Sequence, residues 1–158
     1  MTDPKPARTD ADLGRTLADF SVPSEPGNER LAMETVAEAV GGFGVAGENL
    51  ERLKTAVAEA TMNAMEHGNH YRPEVPVELQ VLLTDHDLLV RITDRGSGPP
   101  PKDDTDAPDI LAKLEGVQTP RGWGLFLIKS MVDEMNISGD EGHHTVELVV
   151  HRGVEGGK

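Results

Sequence analysis

The sequence predicts an α+β fold, a two-layer α/β sandwich whose mixed, mostly antiparallel sheet is covered by helices on one face. Three observations predict it. Strand-like alternation occurs in neighbouring segments joined by tight turns, two other stretches repeat apolar residues at three- and four-residue steps, and strands and helices are unevenly interleaved. The 158 residues suit one domain, which at such a length buries about 70% of its unfolded surface without staples. Hydrophobic residues make up 37% of the chain and aromatic ones only 3%, so the core has to be aliphatic.

Residues 1–16 are polar, with two prolines and mixed charge, and read as a disordered tail. Leu17 to Val22 alternates and suits an edge strand. Asn28 is placed to cap a helix reaching about Val40, with Leu31, Val36 and Val40 among its apolar residues, and Gly41, Gly42 and Gly44 end it. A second helix is expected from about Glu48 to His67, on a stripe of Leu50, Leu53, Val57, Ala60 and Ala64. Pro73 and Pro76 break the chain. Val77 to Leu83 reads as a half-buried strand and Leu88 to Ile92 as its returning partner, joined through Asp85-His86-Asp87 as an antiparallel hairpin. Residues 99–121 carry five prolines and read as a long loop, with one helical turn near Asp109 to Glu115. A loop of that length in a small domain is often a lid. Gly124 to Met135 reads as a helix with Leu125, Leu127 and Ile128 in the core. Asn136 to Ser138 and Thr145 to His151 read as closing strands, and residues 153–158 as a loose tail.

The formal net charge of −13 opposes direct nucleic-acid binding and binding to anionic membranes, both of which need a basic surface. It favours a basic protein partner and leaves room for a phosphate ligand held by local groups and a metal. There are no cysteines, which excludes disulfides and thiolate chemistry. The polar N-terminus has no signal-peptide core, and no run approaches the roughly 18 apolar residues of a membrane span. A cytoplasmic protein is the expectation.

Three short segments can carry chemistry. Glu59 and Asn63 are four apart on the second helix and share one face. Asp94-Arg-Gly-Ser-Gly98 follows a strand, placing a carboxylate at its end and two glycines, Gly96 and Gly98, where backbone can approach a ligand closely. Gly122-Trp-Gly-Leu125 opens the last helix, whose first N–H groups suit phosphate, with the Arg121 guanidinium beside it. Each alone has an ordinary structural reading: a solvated pair, a turn, a hinge. Other nucleotide motifs fail on context. The one Gly-Lys, Gly157-Lys158, is terminal and no Walker loop. Of the two Gly-x-Gly runs in these segments, Gly96-x-Gly98 runs into three prolines, and Gly122-x-Gly124 lacks the third glycine of a dinucleotide fingerprint. The histidines His67, His70, His143 and His144 read as surface turn residues rather than metal ligands.

In order and spacing the three segments resemble the Bergerat-fold, or histidine-kinase-like, ATPases. The finer resemblance is to the anti-sigma factor/serine-protein kinase family, through Glu59-Ala-Thr-Met-Asn-Ala-Met-Glu-His-Gly68 and Gly122-Trp-Gly-Leu-Phe-Leu-Ile-Lys-Ser-Met-Val-Asp-Glu134. It spans residues 17–152, with the lid at 99–121. The resemblance implies ATP and Mg²⁺ as cofactors, Asn63 as the magnesium ligand, and Glu59 as general base toward a serine hydroxyl. It gives Asp94 the adenine amino group, Gly96 and Gly98 the pocket wall, and Arg121, Gly122, Gly124 and Leu125 the phosphate end. It implies a sigma factor and an anti-sigma-antagonist (STAS-type) protein as partners, and homodimerisation is common in the family. The chain departs from the family in its acidic lid headed by Pro99-Pro-Pro, and in His143-His144 where Gly-Thr is usual. The lid motivates an alternative, a nucleotide-gated binding module without turnover.

Overall fold

The computed structural model describes residues 14–96 and 120–152. Their order is β1 (Arg15–Val22), α1 (Asn28–Ala39), α2 (Gly47–Asn63), a π turn (Ala64–Gly68), β2 (Val77–Leu83), β3 (Asp87–Asp94), α3 (Pro120–Met131), β4 (Glu134–Gly139) and β5 (His144–His151). The strands form one sheet in the order β1-β2-β3-β5-β4. The expected sheet was mixed; every pairing among the described residues is antiparallel. The reason lies in the connections. β2 and β3 are a hairpin, and β5 returns from β4 to fill the place between β3 and β4.

Alternation decides which strand face is covered. Val77, Leu79 and Val81 on β2, Leu88, Val90 and Ile92 on β3, and Val146, Leu148 and Val150 on β5 join one aliphatic core. Ala32 and Val36 of α1, Leu53, Ala56, Val57 and Ala60 of α2, and Ile128 of α3 close it from the helical side. Three alanines spaced four apart, Ala56 and Ala60 on α2 and Ala64 at the start of the π turn, are all buried in this core, so their small size serves helix packing.

Several boundaries differ from those the sequence suggested. Asn28 is the first residue of α1 rather than its cap; Gly27, at φ 103°, is the cap, and the Asn28 amide donates to Pro23 O at 2.8 Å. Leu31 is 52% exposed and lies off the core stripe. The last helix begins and ends about four residues early, because Met135 is buried as part of β4, where the period is two. Leu127 faces outward, at 37% exposure, while Leu125 and Ile128 are core. The helical turn expected near residues 109–115 lies outside the described residues.

The β3–β5 ladder pairs Asp87 with His151, and His151 Nδ1 lies 2.8 Å from Asp87 Oδ1. That hydrogen bond, helped by nearby acidic groups and opposed by slight desolvation, holds the imidazolium pKa above its ordinary value. The folded state therefore gains stability below about pH 6.5, the unperturbed value, and loses it as pH rises through the raised one. The ring is exposed, so the gain is small. The melting-temperature gap between wild type and His151→Gln should be widest on the acid side and close in alkali. A gap independent of pH would contradict this linkage.

Candidate nucleotide site

The site is built where α2 and its π turn run past the end of β3 and the start of α3. Glu59 and Asn63 sit one turn apart on α2, and Asn63 is buried at 7% exposure. Gly124 of α3 packs directly on both. A Cβ built there would come within 2.8 Å of Asn63 Nδ2 and 2.9 Å of Glu59 Oε2, so any side chain at 124 would have to displace the ends of both. The sequence thus brings Glu59, Asn63 and Gly124 together as expected. Burial raises the pKa of the Glu59 carboxyl, and the negative charge of Glu66 raises it further, which makes it a stronger base than an ordinary glutamate.

The chain then makes a π turn instead of continuing as α-helix: the Asn69 N–H donates to Ala64 O, five residues back, at 2.8 Å. Such turns often mark functional sites. It sets Gly68 against the buried Asp94, so closely that a Cβ on Gly68 would fall inside the Asp94 side chain. Gly96 closes the same corner, its Cβ position 2.8 Å from Gly68 O, and its N–H donates to Asp94 Oδ1 at 2.8 Å. From Asn63 to Gly68 the helical path advances roughly 7 Å at about 1.5 Å per residue. One wall therefore carries the Glu59–Asn63 pair at one end and the Asp94 corner at the other.

Two residues of this corner were misread or passed over in the sequence. His144, expected on the surface, is buried at 5% exposure. It faces Asp94 across the β3–β5 ladder, with Nδ1 3.0 Å from Asp94 Oδ1. The period-two pattern of Val146, Leu148 and Val150, continued back one step, puts residue 144 on the covered face and was the available signal. Its neighbour His143 and also His70 are exposed, and His67 is half-buried.

Asn69 was passed over, and it is fully buried. Its Nδ2 donates to Ser24 Oγ at 3.0 Å and Val75 O at 3.0 Å, and approaches Pro76 O at 3.2 Å. Its Oδ1 accepts the Arg95 N–H at 2.8 Å. One amide thus ties together the β1–α1 turn, the approach to β2 and the segment after Asp94. Nothing local in the sequence announces this, because every partner is distant or backbone.

Arg121 and Gly122 lie in the first turn of α3, and Leu125 is in the core. The last two residues of the expected lid, Pro120 and Arg121, are therefore helical. Gly98 and residues 99–119 lie outside the described residues.

The donor set suits a magnesium triphosphate. Asn63 Nδ2 is buried without a hydrogen-bond partner among the described residues, and Gly124 forms a cradle beside it that a Cβ would fill. A hard cation of this kind takes oxygen ligands, few of them from protein when phosphates are present.

Comparison with known proteins bears on the family and the fold. A family model described as "Histidine kinase-like ATPase domain" matches residues 22–150. The chain is 32% identical over 126 residues to the anti-sigma F factor of Anoxybacillus flavithermus, covering 78% of this chain and 84% of that protein. It is 31% identical over 134 residues to the anti-sigma F factor of Bacillus subtilis, covering 84% and 89%. Two solved structures share the fold at low identity. One is that of the RsbU and RsbW domains of Rv1364c from Mycobacterium tuberculosis (TM-score 0.59, 18% identity), matching 87% of this chain and 34% of that longer one. The other is the SiaB-SiaC complex from Pseudomonas aeruginosa (TM-score 0.59, 14% identity), matching 86% and 90%. No helix among the described residues is long and apolar enough to cross a membrane. From the matched span and the relatives, the chain belongs to the histidine kinase-like ATPase family, alongside the anti-sigma F factors.

Proposed function

We propose that the protein is an anti-sigma factor that binds Mg²⁺-ATP and phosphorylates a serine of an anti-sigma-antagonist (STAS-type) domain. The observation that carries the kinase reading is the convergence of Glu59, its pKa raised, with Asn63 and the bare Gly124 backbone. Asp94 accepts a hydrogen bond from the exocyclic amino group of the base, with Gly68 and Gly96 giving it room. Asn63 turns its Oδ1 to magnesium, and the N-terminal turn of α3, with Arg121 and Gly122, meets the phosphates. Magnesium, when bound, neutralises charge on the transferring phosphoryl group. Glu59 accepts the proton of the attacking serine hydroxyl, so that oxygen adds to the γ-phosphorus as the bond to the β-γ bridging oxygen breaks and ADP leaves. The acidic surface suits a basic face on the sigma factor or antagonist.

The test is phosphoryl transfer from labelled ATP to a purified antagonist domain. Glu59→Gln should lower the rate by at least about a hundredfold, within the usual range for a lost general base, while ATP affinity stays within about threefold. Transfer that survives Glu59→Gln sinks the base assignment. ATP binding without transfer in the wild type would mark a nucleotide-gated binding module instead.

A further inference from the structure

Glu59 and Gly124 mark one point on the seam between α2 and α3, because a Cβ at 124 would meet the Glu59 carboxylate. Arg52 and Ser130 mark a second, since both line one hollow of about 340 Å³ near the start of α2 and the end of α3. The two helices therefore run antiparallel, and Leu127, halfway between Gly124 and Ser130, stands midway along the seam. Leu127 is one of two large apolar side chains that stand well exposed among the described residues, and it takes no part in the core that Leu125 and Ile128 join. On α2 the rim carries Thr55 and Arg52, four and seven residues before Glu59 and both exposed. The Thr55 hydroxyl is spent on Glu51 O at 3.1 Å. Arg52 forms no ion pair among the described residues, and Asp133, in the same hollow, is engaged by the His151 N–H at 2.7 Å. Outward from Glu59 the seam thus offers a carboxylate, a leucine and a guanidinium over about 9 Å of helical rise.

We propose that this seam docks the serine-bearing segment of the antagonist as an extended stretch, its serine at Glu59, an apolar side chain against Leu127 and a carboxylate reaching Arg52. A hydroxyl that reaches Glu59 brings its own chain past this rim, and the rim's one apolar and one cationic group set what that chain must carry. At about 3.3 Å per residue, the apolar residue lies one or two positions from the serine and the acidic one about three. The inference rests on the reading of Glu59 as the base for a protein serine.

Calorimetric titration with the purified antagonist domain, in Mg²⁺ and a non-hydrolysable ATP analogue, tests docking without requiring transfer. Leu127→Asp should weaken the complex by about tenfold or more. Arg52→Glu should weaken it at least about threefold at low salt and less at high salt. ATP affinity should stay within about threefold in both. Leu31→Asp, the same charge change on the exposed leucine of α1, is the control. In transfer assays Leu127→Asp should raise KM for the antagonist while kcat holds within about twofold. Wild-type affinity in both variants overturns the seam and leaves the kinase reading intact. Weakened docking in both, with no transfer by the wild type, upholds the seam as the docking surface and removes Glu59 as the base. No binding by the wild type overturns seam and reading together. An equal loss in Leu31→Asp reduces the effect to net charge, and a matching loss of ATP affinity ties the rim to the nucleotide; either overturns the proposal. If Leu127→Asp does not fold, Leu127→Gln takes its place with the same expectation.

Discussion

Gly68→Ala should reduce ATP affinity by about a hundredfold or more while the chain still folds. The added Cβ would occupy space now filled by Asp94, the buried group to which the proposed function assigns the base. Moving it breaks the hydrogen bond from the Gly96 N–H and misaligns the acceptor. Overpacking of this sort costs about 1–3 kcal/mol in stability, tolerable for a domain of this size, whereas recognition depends on the carboxylate's position to a fraction of an ångström. Gly41→Ala is the control, because a Cβ there meets only Glu38 O at ordinary van der Waals distance, 3.5 Å. Calorimetric titration with Mg²⁺-ATP checks both. Near wild-type affinity in Gly68→Ala would mean that Asp94 can shift freely, and the corner would lose its meaning as a site.

Asn69→Ala should destabilise the fold by about 3 kcal/mol. The substitution strands the Arg95 N–H and withdraws a donor from Val75 O and Pro76 O in a buried setting. Each unsatisfied buried group costs about 1–3 kcal/mol, with some recovery where Ser24 Oγ still donates to Val75 O at 2.6 Å. Asn69→Asp should be no better. It keeps an acceptor for Arg95 but turns a carboxylate toward the oxygens of Ser24, Val75 and Pro76. Urea unfolding at constant m-value measures the change. A loss below about 1 kcal/mol would show that the network is not cooperative.

The readability of this chain follows from how local each feature is. Glu59 and Asn63 are a helical i, i+4 pair, Asp94 ends an alternating strand, and Gly122 and Gly124 stand where a helix opens. Those relations are set by periods of 3.6 and 2, which the sequence displays. Asn69 was invisible because its role is defined by partners 26 and 45 residues away and by main-chain oxygens. His144 lay between. A pair of histidines after a glycine looks like a turn, yet the strand period placed the second inward. The last helix was shifted because Gly122 and Gly124 are poor helix formers, whereas packing against α2 favours helix there; at its far end, the apolar residues of β4 continue the helical pattern by coincidence.

The π turn at Ala64–Gly68 bears on how this segment can change over generations. A π turn spends about one residue more than an α turn over the same arc. Substitution at the exposed Glu66 leaves that arithmetic untouched. Were the same residues to wind as ordinary α-helix instead, Gly68 and Asn69 would be rotated by roughly 100° relative to Asn63. The glycine would leave Asp94 and the amide would leave Arg95 together. The one residue in excess thus sets where the glycine and the amide point, and a single deletion within residues 64–67, which closes the same arc as ordinary helix, should be better tolerated than a single insertion, which turns both residues away.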